Sequence, residues 1–150
     1  MMRILFVDAG NYCRSPVAET VTRQLAAAHG ESGHQFASAG LKDKHAGGPA
    51  DPRSVEACRT RGYDLAGFRC REITGADFFS HDLILAMDRE NLAQLEARRP
   101  PGATVHIRLF LGDAEVPDPY FGSDDGFGLM MDQIETGAAR LLQDILHDRT

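Results

Sequence analysis

A short apolar run near the start of the chain constrains the fold more than any other feature of the sequence. The run ILFV at residues 4–7 ends in a polar turn, and the pair Ser15-Pro16 then opens an amphipathic segment. A short apolar run bounded by a turn is typical of a buried strand, and Ser followed by Pro is typical of a helix N-cap and the first helical residue. The sequence therefore predicts a strand from residue 3, a loop, and a helix that Ser15 caps and that ends near Gly30.

The loop between this strand and helix is suited to holding an oxyanion. A helix N-terminus offers unpaired N–H groups and the positive end of the helix dipole, and consecutive loop N–H groups can form an anion-binding nest. Gly10 and Asn11 are residue types that readily adopt positive φ, as a loop folded around an anion requires. Arg14 adds a planar fork of donors that matches two phosphate oxygens. The predicted phosphate-binding residues are Ala9, Gly10, Asn11, Tyr12, Cys13, Arg14 and Ser15.

Strands and helices alternate along the rest of the chain. Further strands are predicted at residues 34–39, 82–87 and 105–110, and further helices at residues 51–62, 74–79, 88–98 and 129–147. Residues 112–128 show no periodicity, and a loop of that length in a compact domain is usually functional or disordered. The pattern predicts an α/β fold of three layers, with a four-stranded parallel sheet and helices on both faces. Ligands of such sheets bind beyond the carboxyl ends of the strands.

Composition narrows the possible partners and the compartment. The 150 residues fit a single domain, and the net charge of −6 without any block of like charge argues against nucleic acid or an anionic membrane as partner. We expect no membrane span and no signal peptide, because the apolar run at the start is too short. Three cysteines at irregular spacing predict a reducing, cytoplasmic location. Their spacing does not match a metal site, so we expect neither metal nor cofactor.

Residues 7–16 resemble the signature of a known enzyme family. They read Val-Asp-Ala-Gly-Asn-Tyr-Cys-Arg-Ser-Pro, and the signature of the low-molecular-weight protein tyrosine phosphatases is Val-Cys-x-Gly-Asn-x-Cys-Arg-Ser-Pro. Every fixed position matches except Asp8, which stands where the family has its nucleophilic cysteine. Cys13 resembles the family's second loop cysteine. The resemblance implies a flavodoxin-like fold and a hydrolase of phosphotyrosine protein or small aryl phosphates, with Asp8 and Arg14 at catalytic positions.

A second stretch agrees with the same family. Residues 116–121 (VPDPYF) resemble the family's Asp-Pro-(Tyr/Phe) loop, whose aspartate protonates the leaving oxygen and later activates water. An isolated Asp-Pro pair would be interpreted as a surface turn, but its place in the family's order makes Asp118 the predicted general acid. The resemblance also implies a loop-shaping network of Asn11, Ser15 and Ser38.

The substrate pocket departs from the family at one position. The resemblance implies a pocket formed by Lys44, His45, Tyr120 and Phe121. Lys44 stands where the family often has an aromatic wall, so a preference for phosphotyrosine over other phosphate esters does not follow from the sequence. The expected ligands are a phosphotyrosine protein or aryl phosphate, and inorganic phosphate or a similar oxyanion. The expected oligomeric state is a monomer or weak dimer.

Asp8 leaves three functions open. The chain is a phosphatase with impaired or absent turnover, a pseudophosphatase that binds a phosphorylated partner or oxyanion without hydrolysis, or an α/β domain whose loop is filled by Asp8 itself. A carboxylate at this place accepts donors meant for phosphate, and unit charges about 4 Å apart repel by about 4 kcal/mol at an effective dielectric near 20. Asp8 as a nucleophile that forms an aspartyl-phosphate is a further mechanism, but no second acid is evidently placed to hold the metal that this chemistry uses.

Overall fold

The sheet has four parallel strands in the order expected for a flavodoxin-like fold. The computed structural model describes residues 1–120, 122 and 125–147. The strands are β1 (Arg3–Asp8), β2 (Gln35–Gly40), β3 (Leu83–Ala86) and β4 (His106–Leu109), and their spatial order is β2-β1-β3-β4. The predicted four-stranded parallel α/β fold is confirmed. Because the chain passes from β1 to one neighbour and then crosses to the other, a crevice opens at the carboxyl end of β1.

Helices cover both faces of this sheet. They are α1 (Arg14–Ala28), α2 (Pro52–Thr60), α3 (Asp77–Ser80), α4 (Arg89–Arg98) and α5 (Asp125–Leu146). Successive strand residues point to opposite faces, so Ile4 and Phe6 pack with α1 and α5, whereas Leu5 and Val7 pack with Leu95 of α4 and its neighbours. Burial on both faces explains why the central strands β1 and β3 are almost continuously apolar.

The first helix begins earlier than the sequence predicted. α1 starts at Arg14 with Cys13 as its N-cap, and no side chain caps it. The predictions that Ser15 is the N-cap and that Pro16 is the first helical residue are therefore wrong. The Ser15 hydroxyl donates to Oδ1 of Asp8 instead, at 2.9 Å. The N–H groups that a cap would satisfy are directed at the same carboxylate, because the loop curves around it.

The last helix also begins earlier than predicted. α5 starts at Asp125, whereas the sequence predicted a start at residue 129. Phe127 is buried in the core, and a Cβ added at Gly126 would lie 3.5 Å from Cβ of Pro119. Tertiary packing thus extends the helix through glycines, which local propensity alone assigns to a loop. The apolar residues along one face of this helix are buried, namely Met130, Ile134, Ala138 and Leu141.

The remaining boundaries agree with the sequence to within about three residues. Asp88 caps α4, since its Oδ1 accepts the N–H of Asn91 at 2.7 Å. Within the described ranges, no helix is long and apolar enough to cross a membrane.

Candidate active site

The side chain of Asp8 is enclosed by the loop that follows β1. Its Oδ1 accepts hydrogen bonds from the backbone N–H of Asn11 at 2.6 Å and from the hydroxyl of Ser15 at 2.9 Å. Its Oδ2 accepts the backbone N–H groups of Arg14 and Ser15, both at 3.0 Å. Asp8 is only 2% exposed. These four hydrogen bonds offset the cost of burying the carboxylate. Their donors belong to Asn11, Arg14 and Ser15, which were predicted to bind phosphate.

Other N–H groups of the loop are not used by Asp8. Among the described residues, no acceptor binds the backbone N–H groups of Ala9, Gly10, Tyr12 or Cys13. These four residues line a cleft of about 160 Å³ beyond the carboxyl end of β1. Four of the residues predicted to bind phosphate therefore line the cleft and keep backbone N–H groups that Asp8 does not use.

Asn11 holds the shape of the loop. Its φ of 56° lies in the left-handed region that Asn tolerates better than most residues. Its Nδ2 donates to Oγ of Ser15 and to Oγ of Ser38, both at 2.9 Å, and its Oδ1 accepts the N–H of Arg71 at 2.8 Å. Ser38 in turn donates to Glu19 at 2.7 Å. The structure thus brings Asn11, Ser15 and Ser38 together beneath the loop.

Gly40, the last residue of β2, lets this loop lie against the sheet. A Cβ added at Gly40 would lie 2.6 Å from the carbonyl carbon of Gly10 and 2.7 Å from the backbone nitrogen of Asn11. Real Cβ atoms do not approach backbone atoms so closely. The loop can take this position only because residue 40 has no side chain.

Arg14 is buried below the cleft and is surrounded by carboxylates. Its Nη1 donates to Oδ2 of Asp88 and to the carbonyl oxygen of Val116, both at 2.8 Å, and its Nη2 lies 3.7 Å from Oδ2 of Asp118. Burial alone would lower the pKa of Arg14, but the charge of Asp8 and the contacts with Asp88 and Asp118 outweigh it and raise the pKa. The guanidinium therefore stays charged in a site that is only 2% exposed.

Two acidic residues fix Arg14 from different elements. Asp88 follows β3, and it caps α4 with Oδ1 while it binds Arg14 with Oδ2. In the sequence Asp88 stands at the start of the predicted helix 88–98, and its place after a central strand was a signal that it borders the site. The side chain of Asp118 is 39% exposed, and its Oδ1 accepts the N–H of Tyr120 at 3.0 Å.

Aromatic rings form one wall of the cleft. The ring of Tyr12 stacks on His45 with centroids 3.6 Å apart and planes 6° apart, and the edge contact of Tyr12 with Tyr120 spans 5.9 Å. Lys44 and Lys42 complete this side of the cleft. Of the predicted pocket, Lys44, His45 and Tyr120 line the cleft, and Phe121 lies outside the described residues. Lys42 was not among the predicted pocket residues, although it lies only two residues after the end of β2.

Asp51 and Arg53 connect the two loops of the site. The N–H of Asp51 donates to the carbonyl oxygen of Tyr12 at 3.0 Å, and the thiol of Cys13 lies 3.5 Å from Oδ2 of Asp51. Arg53 binds this carboxylate with Nε and Nη2, and it also donates from Nη2 to the carbonyl oxygen of Tyr120 at 3.1 Å. In the sequence Asp51 stands only at the start of the predicted helix 51–62. The pair ties the loop of Asp8 to that of Asp118.

The thiols and acids of the site do not form a metal centre. Burial and the neighbouring charge of Asp51 raise the pKa of Cys13 well above its usual range, so Cys13 is a neutral thiol. All three cysteines are free and buried. Across residues 1–120, 122 and 125–147, no group of three or more His, Cys, Asp or Glu side chains is arranged to hold a metal ion.

Known proteins share both the sequence pattern and the fold. The family described as low molecular weight phosphotyrosine protein phosphatase matches residues 3–150. The low molecular weight protein-tyrosine-phosphatase YfkJ of Bacillus subtilis is 36% identical, with 99% of each chain covered. The low molecular weight phosphotyrosine protein phosphatase of Sus scrofa is 34% identical, with 87% of each chain covered.

Solved structures agree with these matches. A protein tyrosine phosphatase from Entamoeba histolytica, crystallised with Hepes in the active site, superposes with a TM-score of 0.94 at 32% identity over the full length of both chains. The crystal structure of DARP, a drosophila arginine phosphatase, gives a TM-score of 0.89 at 33% identity and covers 97% of this chain and 98% of that one.

Proposed function

Because this chain belongs to the low-molecular-weight protein tyrosine phosphatase family, we propose that its cleft binds the phosphoryl group of a phosphotyrosine protein or of a small aryl phosphate. We further propose that Asp8 leaves it with impaired or absent turnover. The loop of residues 8–15 supplies the phosphate-binding groups, and Asp118 is the general acid.

The position of Arg14 between the loop and Asp118 carries this proposal. A charged guanidinium lies 3.7 Å from a half-exposed carboxylate, and both line the same cleft. Catalysis of phosphoryl transfer relies mainly on positioning and on stabilisation of the charge on the phosphoryl oxygens. Arg14 and the loop N–H groups serve that role, and Asp118 is placed at the cleft to give a proton to the leaving oxygen.

Asp8 limits what this site can do. In the family reaction a cysteine thiolate attacks phosphorus and forms a phosphocysteine, which water then hydrolyses. That intermediate cannot form at residue 8 of this chain. The carboxylate of Asp8 is held by four hydrogen bonds inside the loop, and its charge opposes the entry of a phosphate dianion.

Hydrolysis of p-nitrophenyl phosphate tests the proposal. We would compare the unaltered chain with Asp8→Cys and Asp8→Asn, each with and without magnesium. We expect turnover only with Asp8→Cys, because it alone restores a thiolate in front of intact Arg14 and Asp118. Activity of the unaltered chain that is lost in Asp8→Asn would overturn this mechanism in favour of an aspartyl-phosphate.

The second candidate function is binding without hydrolysis. It is supported by the N–H groups of Ala9, Gly10, Tyr12 and Cys13, which Asp8 does not use. A ligand that binds only the native state raises the melting temperature. A rise with phosphate or vanadate in the unaltered, inactive chain supports a pseudophosphatase, whereas no rise favours a loop filled by Asp8 alone.

Location and assembly are proposals of the same kind. The three buried, unpaired thiols support a cytoplasmic location, and a single domain that acts as a monomer or weak dimer is expected. Cell fractionation and sedimentation of the purified chain test these two statements.

A further inference from the structure

Both lysines of the chain lie at the cleft. Lys42 and Lys44 are the only lysines in the sequence, and the remaining Lys and Arg positions are all arginines. Both line the same cleft as Arg14. Because the chain has a net charge of −6, this arrangement gives the cleft a positive rim on an otherwise acidic protein.

The backbone of this rim is attached to the phosphate loop. The N–H of Lys42 donates to the carbonyl oxygen of Ala9 at 2.9 Å, and the N–H of Leu41 donates to the carbonyl oxygen of Asp8 at 3.0 Å. These bonds attach the two residues that follow β2 to the end of β1 and to the first residue of the loop. The position of Lys42 relative to the loop is therefore fixed by the sheet.

The charges of the two lysines are free to meet a ligand. Both side chains are exposed, and neither forms an ion pair with a carboxylate in the part of the chain that the structure describes. Asp43 lies between them in sequence but does not line the cleft. Arg14, by contrast, is held by Asp88 at 2.8 Å. Among the described residues that line the cleft, the two lysines are thus the cations without a carboxylate partner.

We propose that Lys42 and Lys44 form a subsite for the carboxylate side chains of an acidic peptide segment that flanks the phosphotyrosine of a protein substrate. The subsite rests on the proposed function, because binding of the phosphoryl group is what brings the segment over the cleft. Nζ of Lys44 lies 5.6 Å from the ring centroid of Tyr120, beside the aromatic wall. An extended chain advances about 3.3–3.6 Å per residue, and the lysines line the same cleft as the phosphate loop, so we expect residues close to the phosphotyrosine to lie over this rim.

Two matched phosphotyrosine peptides test the subsite. They differ only in carrying Glu or Gln at the positions around the phosphotyrosine, and kcat/KM for each is measured with full-length Asp8→Cys. Two exposed ion pairs give about a fivefold preference for the acidic peptide. The preference decreases as ionic strength rises, because exposed charges are screened by salt.

Variants in the Asp8→Cys background identify the residues responsible. We expect Lys42→Met with Lys44→Met to bring the ratio of kcat/KM values for the two peptides to near unity, and Lys42→Arg with Lys44→Arg to retain the preference. Arg3→Met is the control for loss of a cation. Arg3 is exposed and is the first residue of β1, so it lies at the amino end of the strand, opposite the cleft. This change leaves the ratio unchanged.

The outcomes separate this inference from the proposed function. Hydrolysis of p-nitrophenyl phosphate by Asp8→Cys with equal kcat/KM for the two peptides would overturn the lysine subsite alone, as would a preference that survives removal of both lysines. Absence of p-nitrophenyl phosphate hydrolysis by Asp8→Cys would overturn the proposed function and the subsite together.

Discussion

The backbone N–H of Asn11 donates to Oδ1 of Asp8 at 2.6 Å. This bond closes the loop over the side chain at which the family places its nucleophile. Oδ2 of the same carboxylate takes the first N–H groups of α1, at Arg14 and Ser15. Asp8 thus occupies the loop donors as an internal anion. Replacing Asp8 should therefore change the affinity of the loop for phosphate.

Asp8→Ser is expected to bind oxyanions more tightly than the unaltered chain. The change removes a negative charge and frees loop donors while it keeps a small polar side chain. Even a fraction of the roughly 4 kcal/mol repulsion between unit charges in such a site gives at least about a tenfold gain in affinity. Isothermal titration calorimetry with vanadate or phosphate measures it. Asp113→Asn, at an exposed position, controls for net charge, and equal affinities of Asp8→Ser and the unaltered chain would contradict the internal-anion interpretation.

Gly40→Ala is expected to destabilise the protein and distort the loop. The new Cβ would lie 2.6 Å and 2.7 Å from backbone atoms of Gly10 and Asn11, and neither can yield as a flexible side chain would. Overpacking of this kind costs about 1–3 kcal/mol of the free energy of unfolding. Urea denaturation measures the loss. Gly33→Ala is the matched control, because nothing lies within 4 Å of a Cβ there, and an equal effect of both changes would refute the steric argument.

The strands, their parallel arrangement and the family were predictable because they depend on local patterns. The run at residues 4–7 and the run around Leu83 are buried on both faces of the sheet, so hydrophobicity alone marks them. The family assignment followed from residues 7–16, and the match over residues 3–150 confirms it.

The errors arose where distant residues decide the local structure. Ser15 has the sequence context of a helix cap, but its hydroxyl binds Asp8 because the loop folds back on the end of β1. The start of α5 depends on burial of Phe127 and on contact between Gly126 and Pro119. The bridge from Asp51 through Arg53 to the Asp118 loop joins residues far apart in sequence, so no local pattern could reveal it.

The native thiols are expected to react slowly with iodoacetamide. Burial raises the pKa of Cys58 to about 12 and that of Cys70 to about 11, and it raises that of Cys13 further. Near neutral pH these groups hold almost no thiolate, which is the reactive form. In Asp8→Cys the introduced thiol faces the loop donors that favour an anion, so it is alkylated first. Mass spectrometry of digested protein locates the label, and preferential labelling of Cys13 would contradict this order.

Asp77→Asn is expected to lower stability in a pH-dependent way. Asp77 binds Arg71 at 2.9 Å and 3.0 Å and accepts the N–H of Thr74 at 2.8 Å. Burial would raise the pKa of Asp77, but these contacts outweigh it and hold the pKa below its ordinary 3.8. A carboxylate whose pKa is lowered in the native state contributes stability that is complete above 3.8 and is lost as the pH falls through the native value.

The loss at neutral pH should be about 2 kcal/mol in the free energy of unfolding, as for other hydrogen bonds to charged groups. Denaturant unfolding over a range of pH measures the difference between Asp77→Asn and the unaltered chain, and Asp113→Asn again serves as an exposed control. We expect the difference to shrink towards acid pH, whereas a difference that grows there would contradict the assignment. Asp77→Asn should also affect the active site, because Asp77 holds Arg71 and the backbone N–H of Arg71 donates to Oδ1 of Asn11 at 2.8 Å. We therefore expect the affinity of Asp8→Ser for oxyanions to fall when Asp77→Asn is added.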